Sequence, residues 1–488
     1  MQDLYKICEE LFDIASARAL LHWDQETYMP IKGVLHRSRQ LSTLSTIFHQ
    51  KLTDPKVGRL FARARPKTIT DRAMVREVKR AYDRATRLPG RLVSEMAVAT
   101  SIGLEAWKVA RQEKNFEAFR KPLERIVQLK QEEANLIGFK QSPYDALLDD
   151  YEPELTANKV AAIFGPLRKE IETILPKILK KQRTPTKMFL TGQNFPKERV
   201  VKTTEEILKK MGYDFEAGRQ DVSTHPFTTN FGHQDVRVTN RFHPKNFQSS
   251  IFSAIHEGGH GLYEQGVGAN FSGTFLASGT SLGIHESQSR LWENLIGRSS
   301  AFWRFWTPYL LGAFPRQMEG VTGEKLYREV NFVKPDYIRV EADEVTYNLH
   351  IILRFEIEKD LIEGKIKAVD LAEIWNQKFK EMFGLKVPDD SLGVLQDIHW
   401  SQGSIGYFPT YTLGNLYAAQ FYQKMLKDIP KLEKHVESGN FEPILKWLRE
   451  NIHQWGSVYR PEALCKKVTG ETLNPKYFGQ YLQKKYLG

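Results

Sequence analysis

The sequence predicts a mainly helical protein with one small β-sheet. Apolar residues recur at the helical period along most of the 488 residues. The breakers between these segments are local: Pro89-Gly90, Gly192, Gly212, Gly218, Gly297, Pro335, Pro388 and Gly439. Only HQDVRVTNRF, residues 233–242, alternates like a strand, with Val236 and Val238 set against Asp235, Arg237 and Thr239. The chain shows no internal repeat, low-complexity tract or long flexible linker, so helices packed around one small sheet follow.

Taken in order, residues 1–22 form an amphipathic helix with Leu4, Ile7, Leu11 and Ile14 on one face. Acids run through it, and it lacks the continuous apolar core of a signal peptide. Helical spacing continues over 34–52, 70–112, 116–138, 156–182 and 203–211, ahead of the strand. After the strand come 246–265, 280–296, 301–312, 336–363, 368–384, 411–427 and 441–452. Within 336–363, Asp336 is a candidate cap after Pro335, and Arg339, Asp343, Thr346 and His350 form a polar stripe on an otherwise apolar helix. Such a stripe suits a water-filled cleft, although an exposed Arg339–Asp343 ion pair would use the same spacing. No run approaches 18 uninterrupted apolar residues, so no membrane partner is expected.

With 41% hydrophobic and 26% charged residues, the composition is that of a globular protein with a large core. A formal charge of +11 favours acidic partners weakly: nucleic acid, a membrane surface, or small anions such as peptide C-termini. Residues 63–91 hold ten basic residues against three acids. This run reads as a solvated helix face, or as a basic wall over a cleft. Nothing in it resembles a nucleic-acid motif, and no nucleic-acid partner is expected. Two cysteines, Cys8 and Cys465, rule out a disulfide framework and fit a reducing, cytoplasmic setting.

The chemistry concentrates in IFSAIHEGGHGLYEQG, residues 251–266. His256 and His260 stand four apart, so on a helix both imidazoles reach one ion, with Glu257 beside them. The flanking Ile251, Phe252, Ile255, Leu262 and Tyr263 imply a buried helix, where such groups are costly unless bound or paired. Gly258 and Gly259 weaken that helix; a missing Cβ lets another backbone approach, an edge strand carrying substrate being one candidate. Gly266 and Gly268 mark its stop. Catalytic zinc commonly takes three protein ligands. Glu286, in SLGIHESQSRLWENLIG, is the favoured third, partly on the resemblance described next; His285 is its rival and points about 100° away on a helix. Ser278, Thr280 or Ser281 can cap that second helix and Gly297 ends it.

Several segments together resemble the M32 family of metallocarboxypeptidases: HPF (225–227), DVRVT (235–239), HEGGH (256–260), HESQS (285–289), IRVEAD (338–343) and GVLQDIHW (393–400). LLHWDQETYMP (20–30) and YDALLDDYEPELT (144–156) are similar to family stretches as well, so the resemblance covers most of the chain. It implies one peptidase unit over residues 1–488, with a two-lobed helical fold like the neurolysin and angiotensin-converting-enzyme group, a long groove and a small sheet beside the metal. It also implies a homodimer. Carried over residue by residue, it implies His256, His260 and Glu286 as zinc ligands, with cobalt a possible substitute, and Glu257 as catalytic base. Arg237, Arg339, His225, Pro226 and Phe227 become substrate-binding residues, and His399, Tyr407 and Tyr411 groups around the reacting carbonyl and the carboxylate.

By itself, Arg237 also reads as an edge-strand charge. The two tyrosines read equally as packed core rings, and His399 as a hydrogen-bonded core residue. The expected activity is release of single amino acids from peptides with a free C-terminal carboxylate. Two rivals stand beside it. An endo-acting zinc oligopeptidase would still cut C-terminally amidated peptides. A basic nucleic-acid-binding protein with a structural metal would shift labelled nucleic acid in a salt-dependent way.

Overall fold

The protein is described over residues 1–488 by a computed structural model. Helices dominate, as expected, around a single three-stranded sheet. The helices read over 34–52, 116–138, 156–182 and 246–265 are Val34–Leu52, Glu117–Ile137, Ala157–Lys181 and Phe247–Gly266. The chain divides into two compact units. The first comprises Met1–Ala85, Thr184–Asn331 and Tyr417–Leu473; the second comprises Thr86–Arg183, Phe332–Leu416 and Asn474–Gly488.

The first unit contains the sheet. Strands β1 (Gln220–Val222), β2 (Thr228–Asn230) and β3 (Val236–Asn240) lie in the order β1–β3–β2. β3 is parallel to β1 and antiparallel to β2, and Val238 faces Gln220 on one side and Thr228 on the other. Only β3 is legible in the sequence, because three-residue partners are too short to display alternation. Val236 and Val238 turn into the core and pack towards the helix Phe247–Gly266, where a Cβ on Gly261 would stand 3.0 Å from Val238. β3 is the central strand, which rules out the edge-strand reading of Arg237.

The second unit is helical and packs Tyr144, Leu147, Phe164, Leu353, Phe355 and Trp375 into its interior. Here one sequence expectation fails. The helix read over 336–363 begins only at Tyr347, and Arg339–Glu341 is a short 3₁₀ turn. Asp343 holds the turn that leads into the helix: its carboxylate accepts from the N–H groups of Val345 and Thr346 and from the hydroxyl of Thr346, the residue at the N-cap. Arg339 therefore lies outside the helix, the polar stripe dissolves, and the Arg339–Asp343 ion pair is replaced by a buried pair with Asp397.

Two further readings are refined. The span 70–112 is two helices, Ile69–Arg87 and Gly90–Glu113, since Pro89 cannot continue the first. The span 280–296 is an α-helix, Leu282–Arg290, running into a π-helical turn, Leu291–Ile296. Pro55–Arg63, Gly323–Val330 and Pro461–Thr469 were not expected as helices, although Asp54 and Thr322 cap the first two. Their apolar faces are too short for periodicity to reveal.

Part of the basic run 63–91 is used in structural pairing. Arg76 donates to the Ser457 and Val458 carbonyls and pairs with Glu77, and Lys79 pairs with Asp83. No helix is long and apolar enough to cross a membrane.

Cys8 and Cys465 are buried free thiols, and burial pushes both up to about 12. Neither supplies a thiolate near neutral pH. A Cys8→Ser, Cys465→Ser double variant is expected to retain most of the activity anticipated from the sequence per folded molecule while melting earlier, because two hydroxyls replace buried thiols. Activity lost from a protein with intact circular dichroism and metal content would contradict this.

Candidate active site

Asn246 starts the helix Phe247–Gly266 by accepting from the Ser249 N–H. Its buried side binds it to the core through Ile251, Ile255 and Leu262, and this orientation sets His256 and His260 on one face. The two glycines are explained by what lies against them. A Cβ on Gly259 would stand 2.6 Å from Ser289 Cα and 2.7 Å from the Gln288 carbonyl oxygen. A Cβ on Gly258 would stand 2.3 Å from a Leu208 methyl. The approaching backbone is thus the neighbouring helix Leu282–Arg290, not an edge strand carrying substrate.

That helix is capped by Ser281, which accepts from the Ile284 N–H, and it carries Glu286. The close approach places Glu286 Oε2 at 3.6 Å from Nε2 of both His256 and His260. The three ligand atoms lie within 4.8 Å of one another. A separation of 3.6 Å is too long for a hydrogen bond. It falls at the upper end of the roughly 3.3–3.6 Å edge of a tetrahedron with zinc–ligand bonds of about 2.0–2.2 Å. The residues fit a metal.

The surrounding contacts fit it as well. Arg290 donates to Glu286 Oε1 at 2.7 Å, which leaves Oε2 turned towards the imidazoles. His256 Nδ1 is 2.8 Å from Glu293 Oε2. His260 Nδ1 meets His285 Nδ1, and His285 Nε2 is 2.6 Å from Glu264 Oε1. With the ring protons of His256 and His260 on Nδ1, each imidazole directs an Nε2 lone pair into the site. His285, the rival ligand, is therefore placed behind His260.

Glu264, Glu293, Arg290 and Thr228 escaped the sequence reading. Glu293 enters the site from the π-helical turn, a register change that periodicity does not announce. The Arg290 signal was present in the i,i+4 spacing from Glu286.

Glu257 is buried beside His256, and its Oε2 accepts from the Thr228 hydroxyl on β2 at 2.7 Å. Burial raises its pKa above the usual carboxylate range. Glu286 stays well below that range: burial opposes this, but Arg290 and the two imidazoles prevail.

Arg237, on β3, makes a bidentate pair with Asp235 through Nε and Nη2, both 2.8 Å, and stacks 4.4 Å above the Trp23 ring. His225 is exposed between β1 and β2, while Pro226 and Phe227 are half-buried. Their loop is fixed by Ser223 Oγ donating to the His225 carbonyl and by Phe227 N–H donating to Thr239 Oγ1.

The second unit brings together the remaining site residues named from the sequence. Arg339 donates to Asp397 Oδ1 from Nε and Nη2, and to the Tyr347 hydroxyl from Nη1. Arg354, another group the sequence reading missed, takes Asp397 Oδ2 at 2.7 Å. His399 Nε2 lies 3.3 Å from the Tyr411 hydroxyl, and the Tyr407 ring packs 5.4 Å from the imidazole. Burial lowers the His399 pKa to about 4, with Arg339 and Arg354 acting in the same direction against Asp397, so the ring is neutral at neutral pH.

Two imidazoles from one helix, a carboxylate from the next and a second carboxylate beside them define a metallohydrolase-type centre. Residues 3–486 match the family described as Carboxypeptidase Taq (M32) metallopeptidase. The chain belongs to this family and is a metallocarboxypeptidase, a hydrolase acting on peptide bonds. It is 41% identical over 481 residues to thermostable carboxypeptidase 1 of Pyrococcus furiosus, covering 98% of this chain and 96% of that one. Thermostable carboxypeptidase 1 of Thermus thermophilus is also 41% identical, over 500 residues, covering 99% and 98%. The solved structure of Pyrococcus furiosus carboxypeptidase in an apo-Mg form superposes with a TM-score of 0.97 at 40% identity, covering 99% of this chain and 98% of that one.

Proposed function

We propose that the protein uses zinc to release single amino acids from the C-termini of peptides of varied sequence, with Glu257 as general base. The observation that carries this reading is the Glu257 carboxylate, held by Thr228 beside two imidazoles and Glu286. Two histidines and a glutamate favour zinc over hard cations that prefer all-oxygen sites, and cobalt can replace it. When bound at His256, His260 and Glu286, the metal supplies Lewis-acid polarisation and lowers the pKa of water. Glu257 accepts a proton from the attacking water and returns it to the leaving amine. Neutral His399, or Tyr407 or Tyr411, donates to the developing oxyanion.

Arg237 and Arg339 bind the substrate carboxylate, and His225, Pro226 and Phe227 shape the pocket for its side chain. Asp235 and Asp397 hold the two guanidiniums in fixed orientations, which lowers the cost of ordering them around a ligand. We extend the fold resemblance to the neurolysin and angiotensin-converting-enzyme group, and propose a cytoplasmic homodimer.

A mass-spectrometric time course on one peptide in free-acid and amidated forms tests the carboxylate requirement. Stepwise ladders are expected from the acid. The amide should react roughly ten- to two-hundredfold more slowly, the range expected for losing one hydrogen bond to a charged group. Arg237→Ala and Arg339→Ala should each lower kcat/KM on the acid with metal content unchanged. Equal cleavage of both forms would remove the carboxylate anchor from the mechanism.

A further inference from the structure

Outside the groups assigned to the reaction, the second unit contains a buried carboxylate that receives hydrogen bonds from both ends of one segment. Glu358 lies on the helix Tyr347–Ile362 and is fully buried. Its Oε1 accepts from Trp400 Nε1 at 2.8 Å. Its Oε2 accepts from the Tyr144 hydroxyl at 2.8 Å and from the Gly406 N–H at 3.0 Å. Trp400 follows His399 directly, and Gly406 directly precedes Tyr407. One carboxylate therefore fixes the chain at two points within the stretch that bears His399, Tyr407 and Tyr411, one beside His399 and the other beside Tyr407.

The other contacts tighten the same attachment. Gly406 has φ +95°, and a Cβ there would stand 2.9 Å from the Leu147 carbonyl carbon. The segment lies against the backbone of the helix Pro143–Leu148, from which Tyr144 reaches Glu358. Three donors partly offset the desolvation of this carboxylate, but burial still pushes it up to about 7.

We propose that Glu358 is a positioning residue for the reaction, holding the His399–Tyr411 segment in the geometry in which its donors meet the substrate. This rests on the role assigned above to His399. The argument turns on donor chemistry. The Trp400 and Gly406 N–H groups can only donate, whereas the Tyr144 hydroxyl can also accept. A glutamine at 358 has one acceptor oxygen and one NH₂ group. Whichever way the amide is turned, one of the two N–H donors faces another donor, and the segment loses one end of its attachment.

The test is a double-mutant cycle on the full-length, metal-loaded protein, with kcat and KM measured well below the melting temperature. Glu358→Gln is expected to lower kcat about tenfold or more at unchanged metal content, with KM altered less. Combined with His399→Ala, it should cost little beyond His399→Ala alone, because both changes remove the same contribution. A residue that only stabilises the fold would lower the melting temperature and leave kcat per folded molecule intact. If Glu358→Gln does not fold, Tyr144→Phe, which removes one donor and leaves the carboxylate, carries the same cycle with a smaller loss. Full kcat in these variants, or losses that multiply with that of His399→Ala, would overturn the inference while leaving the role of His399 standing. Full activity in His399→Ala alone would overturn that role, and this inference with it.

Discussion

Glu257→Gln is expected to lower kcat by about 10²- to 10⁴-fold while the purified protein keeps its metal. The substitution is nearly isosteric. The amide oxygen can still accept from Thr228 Oγ1, so the helix and the two imidazoles stay where they are. What disappears is a carboxylate able to take up a proton. Burial raises the pKa of that carboxylate and makes it a stronger base than an exposed one. Metal analysis by mass spectrometry, alongside steady-state kinetics on a free-acid peptide, checks both halves. A Glu257→Gln variant that turns over at the wild-type rate would take the proton-transfer role away from this residue.

Glu286→Gln should act in the opposite order, with metal lost first and activity lost as a consequence. Glu286 Oε2 faces both imidazoles, and Arg290 fixes its other oxygen. A neutral amide removes the only negative charge among the three candidate ligands and weakens the Arg290 pair that orients it, leaving Arg290 its contact with Glu293. Affinity should fall roughly hundredfold or more, beyond the loss typical of disturbing a group behind the ligands. Competition with a chelator of known affinity measures the change. Equal metal loss in the two glutamine variants would show that base and ligand had been assigned wrongly.

Gly259→Ala provides a subtler test of the same centre. Its new methyl would meet Ser289 Cα and the Gln288 carbonyl, which are backbone atoms and cannot swing aside. A destabilisation of about 1–3 kcal/mol is expected, with weaker metal retention as the Glu286 helix is pushed outward. Gly258→Ala meets a Leu208 methyl, a flexible side-chain end, and should be milder. Thermal melts and metal content of the two variants decide the comparison.

The helical class, the long helices and the trio His256, His260 and Glu286 were legible in the sequence. Helical period and the spacing of imidazoles are local properties of the chain, and family-like segments added the glutamate from the next helix. The start of the helix at Tyr347 was not legible, because Asp336, directly after Pro335, is a plausible cap by residue type alone. Only the folded turn shows which carboxylate meets free N–H groups.

The sequence by itself determined which groups capable of metal binding and proton transfer share a helix face, since residue type and helical spacing dictate which side chains stand together. Tertiary structure decided what holds them. Thr228 on Glu257, Glu293 on His256, His285 behind His260, and Asp397 between Arg339 and Arg354 join residues 29, 37, 25, 58 and 43 positions apart. No local period relates such pairs. The same holds for Gly259, whose missing Cβ acquires its meaning only when Ser289 packs against it. Contacts of this kind are set by the packing of helices whose order along the chain does not specify their faces, so they become visible only once the chain has folded.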